Sequence, residues 1–356
     1  MSIYTEWDPL EEVIVGDCPS TCLDIWNLPA ETRRLLDIIL SETKEDLDAL
    51  ANFITNFGVK VFRPNLISYP LDINQGNFNI TNAMSPLVPR DQYLVYGNTI
   101  VQTYTSMPSR YVDSLSYYDI FLTKFLKGFN WISQPPPVLK NLDLEKKWQV
   151  DMDQIYGKDY KYKILWHTAT ILKCGDALIV NDKGPGTELG LRWMEQNLSS
   201  RYIYNKNVIN NSRGHIDHGF FLIDDNTVCC SEMSWVPEVL RTKEVIEFKG
   251  HYTPYDYTTI IDKTYKKRNE MSYEWLDEWL SEWKGYAQDM ACEFNVLVVD
   301  SKNVIFSADL PGVFEILEKR GVRCHVCRMR HAAFWEAGIH CLTLDIKRNG
   351  ANRTII

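Results

Sequence analysis

What most constrains the fold of this chain is a recurring unit: two short β-rich runs joined by a turn, then an amphipathic helix, then one more strand. Tyr93-Leu94-Val95-Tyr96 passes through Gly97-Asn98 into Thr99-Ile100-Val101-Gln102, and a Gly/Asn turn between such runs predicts a hairpin. The same pattern returns in Ala169 to Lys173, turning near Gly175-Asp176 into Ala177 to Val180. It returns again in Phe220 to Ile223 with Thr227 to Cys229, and in Asn295 to Val299 with Val304 to Phe306. An earlier unit places Glu11 to Val15 ahead of a long helical segment, in which Leu47, Leu50, Ala51 and Ile54 share one buried face. Gly58 ends that helix and Val59 to Phe62 resumes as strand. Residues 186–198 and 311–320 read as the equivalent helices of later units. Five such units predict sheets repeated around a central axis. Insertions at 64–88, 134–163 and 250–285 make the spacing uneven. No Gly-, Ser- or Pro-rich linker divides the chain, so residues 1–356 are expected to form a single domain.

Composition narrows the function. A hydrophobic content of 45% against 24% charged residues is that of a globular protein. The net charge of −9 disfavours nonspecific contact with nucleic acid or an anionic membrane. The apolar runs are too short to span a bilayer. Met1-Ser2-Ile3-Tyr4-Thr5-Glu6 shows no export signal, and the nine cysteines are an odd number spread through the chain. A reducing, cytoplasmic location is therefore expected. Cys324 and Cys327 make a CxxC, but three residues apart on a strand they face opposite ways, and no second pair completes a zinc site. Cys229-Cys230 reads as strand core.

The reactive side chains occupy equivalent places, each just before a strand. Asp91, His167, the pair His215 and Asp217, and Cys341 precede successive units. Units related by rotation would bring these residues together at one end of the axis, as a ligand site requires. A thiol beside an imidazole is a ready nucleophile at neutral pH. Strand alternation turns His218 away from His215, to a structural place or the site rim, and turns His340 away from Cys341. Trp275, Leu276, Trp279, Leu280 and Trp283 form a helical stripe, read as core packing rather than as a lid.

Several segments together resemble the glycine amidinotransferase family, which includes the inosamine-phosphate amidinotransferases. They are Glu6 to Gly16, Pro89 to Asn98, His215-Ile216-Asp217 and Gly338-Ile339-His340-Cys341, in the family's order along nearly the whole chain. The resemblance implies an α+β pentein fold, an α/β-propeller of five ββαβ modules. It implies a cysteine, matched by Cys341, that takes an amidino group from a guanidino donor such as arginine and passes it to a small primary amine. It also implies His215 as the acid/base, and Asp91 and Asp217 as carboxylates aligning the guanidinium. No metal or organic cofactor is expected; the partners are small molecules, and a homodimer is left open.

Three places depart from the family pattern. His167 stands where the family has a carboxylate paired with the catalytic histidine, and an imidazole orients an imidazolium less well. It is expected to hydrogen-bond His215, to touch substrate, or to fill space in an altered site. Arg241 is the nearest basic residue to the usual substrate-carboxylate clamp, and Gln288-Asp289 replace a pair of small hydroxyls. The alternatives are a guanidine-modifying hydrolase on the same Cys-His site, or a catalytically altered relative that binds a guanidino compound.

Overall fold

The structure is a computed structural model that describes residues 2–21, 30–66, 73–75, 78–80, 86–105, 110–136, 163–181, 186–205, 215–251, 294–335 and 337–356. The predicted unit recurs in it five times as a three-stranded sheet. In the second unit β5 (Tyr93–Tyr96) pairs antiparallel with β6 (Thr99–Gln102), helix α2 (Asp113–Phe125) crosses over, and β7 (Asn130–Ser133) returns parallel to β6. The third unit repeats this with β8 (Ile171–Cys174), β9 (Ala177–Asn181), α3 (Glu188–Asn197) and β10 (Arg201–Asn205). The fifth does so with β14 (Leu297–Asp300), β15 (Asn303–Phe306), α4 (Pro311–Glu318) and β16 (Arg323–Val326). In the fourth, between β12 (Thr227–Cys230) and β13 (Glu244–Glu247), two 3₁₀ turns at Met233–Trp235 and Glu238–Leu240 replace the helix; β11 (Phe220–Leu222) completes the sheet.

The remaining unit is closed by the two ends of the chain. Strand β1 (Leu10–Val15) runs antiparallel to β17 (Thr343–Arg348) and parallel to β2 (Lys60–Phe62), with α1 (Ala30–Thr55) as the crossover. Its register pairs Val15 with Thr343 and Val13 with Asp345. The hairpin of this unit is thus split between residues more than three hundred positions apart. A small hairpin, β3 (Ile73–Gln75) with β4 (Phe78–Ile80), lies in the first insertion.

Local chemistry explains these elements. Leu47, Leu50 and Ile54 of α1 are fully buried and Ala51 packs beside them, as the helical spacing predicts. The hairpin turns at Gly97 and Gly175 use positive φ, 58° and 67°, which glycine adopts without penalty. Gly175 also leaves no room for a side chain, since a Cβ would stand 2.0 Å from the Arg353 carbonyl oxygen. Cys229 and Cys230 are buried in β12, as expected. Cys324 is half-buried and Cys327 buried, and both are free thiols. Among the described residues, no helix is long and apolar enough to cross a membrane. The tryptophan stripe at 275–283 and Gln288-Asp289 lie outside the described residues.

Candidate active site

Each of the five units contributes a side chain to one buried cluster, from the segment just before its first strand. A 3₁₀ turn, Pro89–Asp91, delivers Asp91 ahead of β5, and another, Thr168–Thr170, follows His167 ahead of β8. The bend over 216–219 carries Asp217 and His218 ahead of β11, with His215 just before it. Asn295 precedes β14, and the turn at 339–342 presents His340 and Cys341 ahead of β17. All are buried, Cys341 to 1% exposure and His218 to 0%. The sequence-predicted residues Cys341, His215, Asp217, His167 and Asp91 are therefore brought to one place.

A chain of contacts leads away from the sulfur. Cys341 Sγ stands 3.7 Å from His218 Nε2 and 3.9 Å from Asp217 Oδ2. His218 Nε2 is 3.1 Å from His215 Nδ1, a separation at which one nitrogen carries the shared proton and the other accepts it. The His215 ring lies against that of His167, with centroids 4.6 Å apart. His167 Nε2 is in turn 3.6 Å from Asp91 Oδ2. A carboxylate thus reaches the third-unit histidine from the neighbouring unit.

His218 corrects the sequence expectation. It is neither at the rim nor turned away; it stands against the sulfur, with a nitrogen of His215 within 4.8 Å of the sulfur as well. Strand alternation does not govern it, because residues 216–219 form a bend and the strand starts only at Phe220. Gly219 makes that bend possible: the Trp235 indole lies where its side chain would be, a Cβ there falling 2.4 Å from the ring. His340 is a second correction. The turn over 339–342 aims its ring at Asp217 Oδ2 through Nδ1, and at Glu6 Oε2, 3.1 Å away, through Nε2.

Further residues escaped the sequence reading. Asn295 Oδ1 accepts the Cys341 backbone N–H at 2.9 Å, fixing the turn that holds the thiol. Arg110 donates to Asp91 Oδ2, to Asp113 Oδ2 at 3.1 Å and to the Val88 carbonyl at 2.6 Å. Its partners lie up to 22 positions away, and nothing in the sequence around it marks the pairing. Arg241, the candidate clamp, donates to the carbonyl of Val236 in its own loop at 2.9 Å.

Electrostatics divides these groups. Burial pushes His167 and His218 down to about 3, so both rings are neutral at pH 7, despite the nearby carboxylates Asp91 and Asp217 that pull the other way. Burial also works on His340, but the carboxylates of Glu6 and Asp217 outweigh it and hold that ring above its ordinary value. Burial alone would raise Asp217; the hydrogen bond and charge of His340 hold it well below the carboxylate range instead. Asp91 is likewise held low, against burial, by His167 and Arg110. Asp91 Oδ1 and His167 Nδ1 are buried and take no hydrogen bond among the described residues. Unsatisfied buried acceptors of this kind are costly unless a ligand meets them.

Comparison with known proteins agrees with this architecture. No protein-family model matches the chain. The inosamine-phosphate amidinotransferase 1 of Streptomyces glaucescens is 24% identical over 99% of this chain and 98% of its own. The mitochondrial glycine amidinotransferase of Danio rerio is 22% identical over 98% of this chain and 82% of its own. Among solved structures, the inosamine-phosphate amidinotransferase of Streptomyces griseus superposes with a TM-score of 0.73 at 24% identity, covering 99% of this chain and 98% of that one. A dimethylarginine dimethylaminohydrolase is more distant, with a TM-score of 0.54 and 12% identity over 94% of this chain and 99% of that one. The fold is that of the penteins, five small sheets set around an axis. Within that class, this chain is similar along nearly its whole length to inosamine-phosphate and glycine amidinotransferases.

Proposed function

We propose that this protein is an amidinotransferase. It moves an amidino group from arginine or a related guanidino donor to a small primary amine, through a covalent amidino adduct on Cys341. The observation that carries the reading is the placement of one thiol against an imidazole and a carboxylate, 3.7 and 3.9 Å away, in a chain related end to end to amidinotransferases.

The chemistry uses what the cluster offers. A guanidinium is a planar cation whose delocalised carbon resists attack, so carboxylates must align it. Asp217 and the open oxygen of Asp91 suit that role. The sulfur attacks the central carbon, an S–C bond forms, and the bond to the departing amine breaks as that nitrogen takes a proton. His218 is the imidazole nearest the sulfur, and His215 behind it extends the path along which the proton moves. The acceptor amine then attacks the amidino carbon, gives its proton back to the imidazole pair and releases the thiolate. His340, pinned between Asp217 and Glu6, is a positioning residue that keeps the Asp217 carboxylate ionised and aimed. Arg110 does the same for Asp91.

Arg241 is turned onto its own loop, which favours a donor gripped elsewhere or one lacking an α-carboxylate. We place the protein in a cytoplasmic setting, which suits buried thiols such as Cys18, Cys174, Cys229 and Cys230.

Intact mass after incubation with candidate guanidines tests the proposal. The expected result is an increase matching one amidino group on the wild type and none on Cys341→Ala. Turnover should then yield a new guanidino compound; ureido product or ammonia without one would instead mark a hydrolase. No adduct and no product with any guanidine or amidine would sink both readings.

A further inference from the structure

The groups around the sulfur have a second chemical capacity, independent of amidino transfer. One atom each from His215, Asp217, His218 and Cys341 lies within 4.8 Å of every other, and all four residues are buried. The separations have a recognisable pattern. His215 Nδ1 to His218 Nε2 is 3.1 Å, His218 Nε2 to Cys341 Sγ is 3.7 Å, Cys341 Sγ to Asp217 Oδ2 is 3.9 Å, and His218 Nε2 to Asp217 Oδ1 is 3.8 Å. Ligands about 2.0–2.3 Å from a tetrahedral Zn²⁺ stand about 3.3–3.6 Å from one another, along the edges of the tetrahedron. Three of these separations, 3.1, 3.7 and 3.9 Å, fall within about 0.4 Å of such edges. The remaining pairs lie within 4.8 Å, so closing on an ion draws the side chains inward by up to about an ångström.

We infer that this cluster binds a single Zn²⁺ ion through Cys341, His218, His215 and Asp217, and that the ion is an inhibitory occupant rather than a catalytic one. Binding forms a Zn–S bond and sends the Cys341 thiol proton to solvent, while the two imidazoles and the carboxylate donate lone pairs. A thiolate, two imidazoles and a carboxylate are a donor set that suits zinc and disfavours magnesium or calcium. His218 distinguishes this cluster, because it adds a second imidazole beside the sulfur. The second shell is in place. Asp217, the oxygen donor, is held by His340, and the Cys341 backbone by Asn295. A metal-bound sulfur has its lone pair engaged and cannot attack a guanidinium carbon, so occupancy and amidino transfer exclude each other.

Whether the ion inhibits rests on the amidinotransferase reading; whether it binds does not. The test therefore measures binding without substrate, on the full chain freed of metal by chelator. Zn²⁺ is titrated against a chromophoric chelator over nanomolar to micromolar free ion, and Co²⁺ replaces it as a spectroscopic probe. The expected result is one equivalent bound, a thiolate-to-cobalt band in the near ultraviolet, and tetrahedral d–d absorption. Cys341→Ser is expected to abolish the thiolate band, and both it and His218→Gln to weaken binding at least tenfold. Cys341→Ser is nearly isosteric, so it carries the test should His218→Gln not fold. No binding at micromolar free zinc overturns the inference, as does binding that survives Cys341→Ser unchanged. The adduct experiment on the metal-free protein fails or succeeds separately, and zinc is expected to abolish that adduct stoichiometrically.

Discussion

Two buried polar regions lie side by side in this molecule, and opposite charges face one another far more fully in the first than in the second. In the first, Glu6, Arg90, Lys173, Asp345 and Arg348 face one another in alternating charge. Arg90 pairs with Glu6 and Asp345 at 3.3 Å each, Lys173 with the same two carboxylates at 3.4 and 3.5 Å, and Arg348 with Asp345 at 2.9 Å. Arg348 also donates to the Val298 carbonyl at 2.8 Å, and the Arg90 Nε to that of His340 at 2.9 Å. The second region, around Cys341, holds the imidazoles of His218, His215 and His167 in a row and leaves a carboxylate oxygen of Asp91 without a hydrogen bond among the described residues. A paired network locks the units together, whereas an underpaired one is completed by what binds there. His340 belongs to both: its carbonyl is held by Arg90, its ring by Glu6 and Asp217.

The comparison can be broken at either end. Arg90→Met strips Glu6 and Asp345 of a shared cation while leaving two buried carboxylates. Removing one partner of a buried pair costs roughly 3–5 kcal/mol, to be read from denaturant midpoints; a loss within a few tenths would mean the network is not a structural lock. At the other region, His218→Asn should lower the rate of amidino transfer at least ~10²-fold, the lower end of what a positioned acid/base supplies. Its midpoint should move far less than that of Arg90→Met. A full rate in His218→Asn together with a lost rate in His215→Asn would return the proton-transfer role to His215 alone.

Acid sharpens the contrast. The unfolded chain protonates His167 near 6.5 while the folded chain holds it neutral down to about 3. Between those values the unfolded state binds the extra proton, so stability falls as pH drops from about 6.5 toward 3. Glu6, lowered from 4.5 to about 2, adds stability that is present above 4.5 and lost toward 2. His340, held above its ordinary value, acts oppositely: its contribution is complete below the unfolded value and fades as pH rises through the folded one. In the metal-free protein, His167→Asn should therefore flatten the acid limb of the stability curve by up to ~1.4 kcal/mol per pH unit. An unchanged slope would show that the ring is already charged in the folded state. The smallest effect is expected at Arg241→Ala, within about 0.5 kcal/mol in stability and with the donor KM unchanged; a large rise in KM would make Arg241 the missing clamp.

Much of the architecture was legible along the chain because it is written in local chemistry. Turn glycines, period-two runs and helical spacing gave four hairpins and the helices α1, α3 and α4 within a few residues, while α2 was not read. The helix of the fourth unit is replaced by 3₁₀ turns at Met233 and Glu238, and no apolar periodicity there predicted otherwise. The site was half legible. Asp91, His167, His215, Asp217 and Cys341 share a place in their units, and rotation of the units gathers them. His218 and His340 were misplaced because alternation was applied to segments that are bends and turns rather than strands. Asn295, Arg110 and Glu6 were not read as site residues, since the contacts that tie them to the site, with Cys341, Asp91 and His340, span 46, 19 and 334 positions.

The sequence by itself determined the repeat, the strands and helices, and the set of groups able to do thiol chemistry, since these depend on neighbours a few residues apart. Tertiary structure alone decided which imidazole meets the sulfur, which carboxylate is held and which is left open, and how the two ends of the chain join into one sheet. Those outcomes depend on distances between segments that only the closing of the ring fixes.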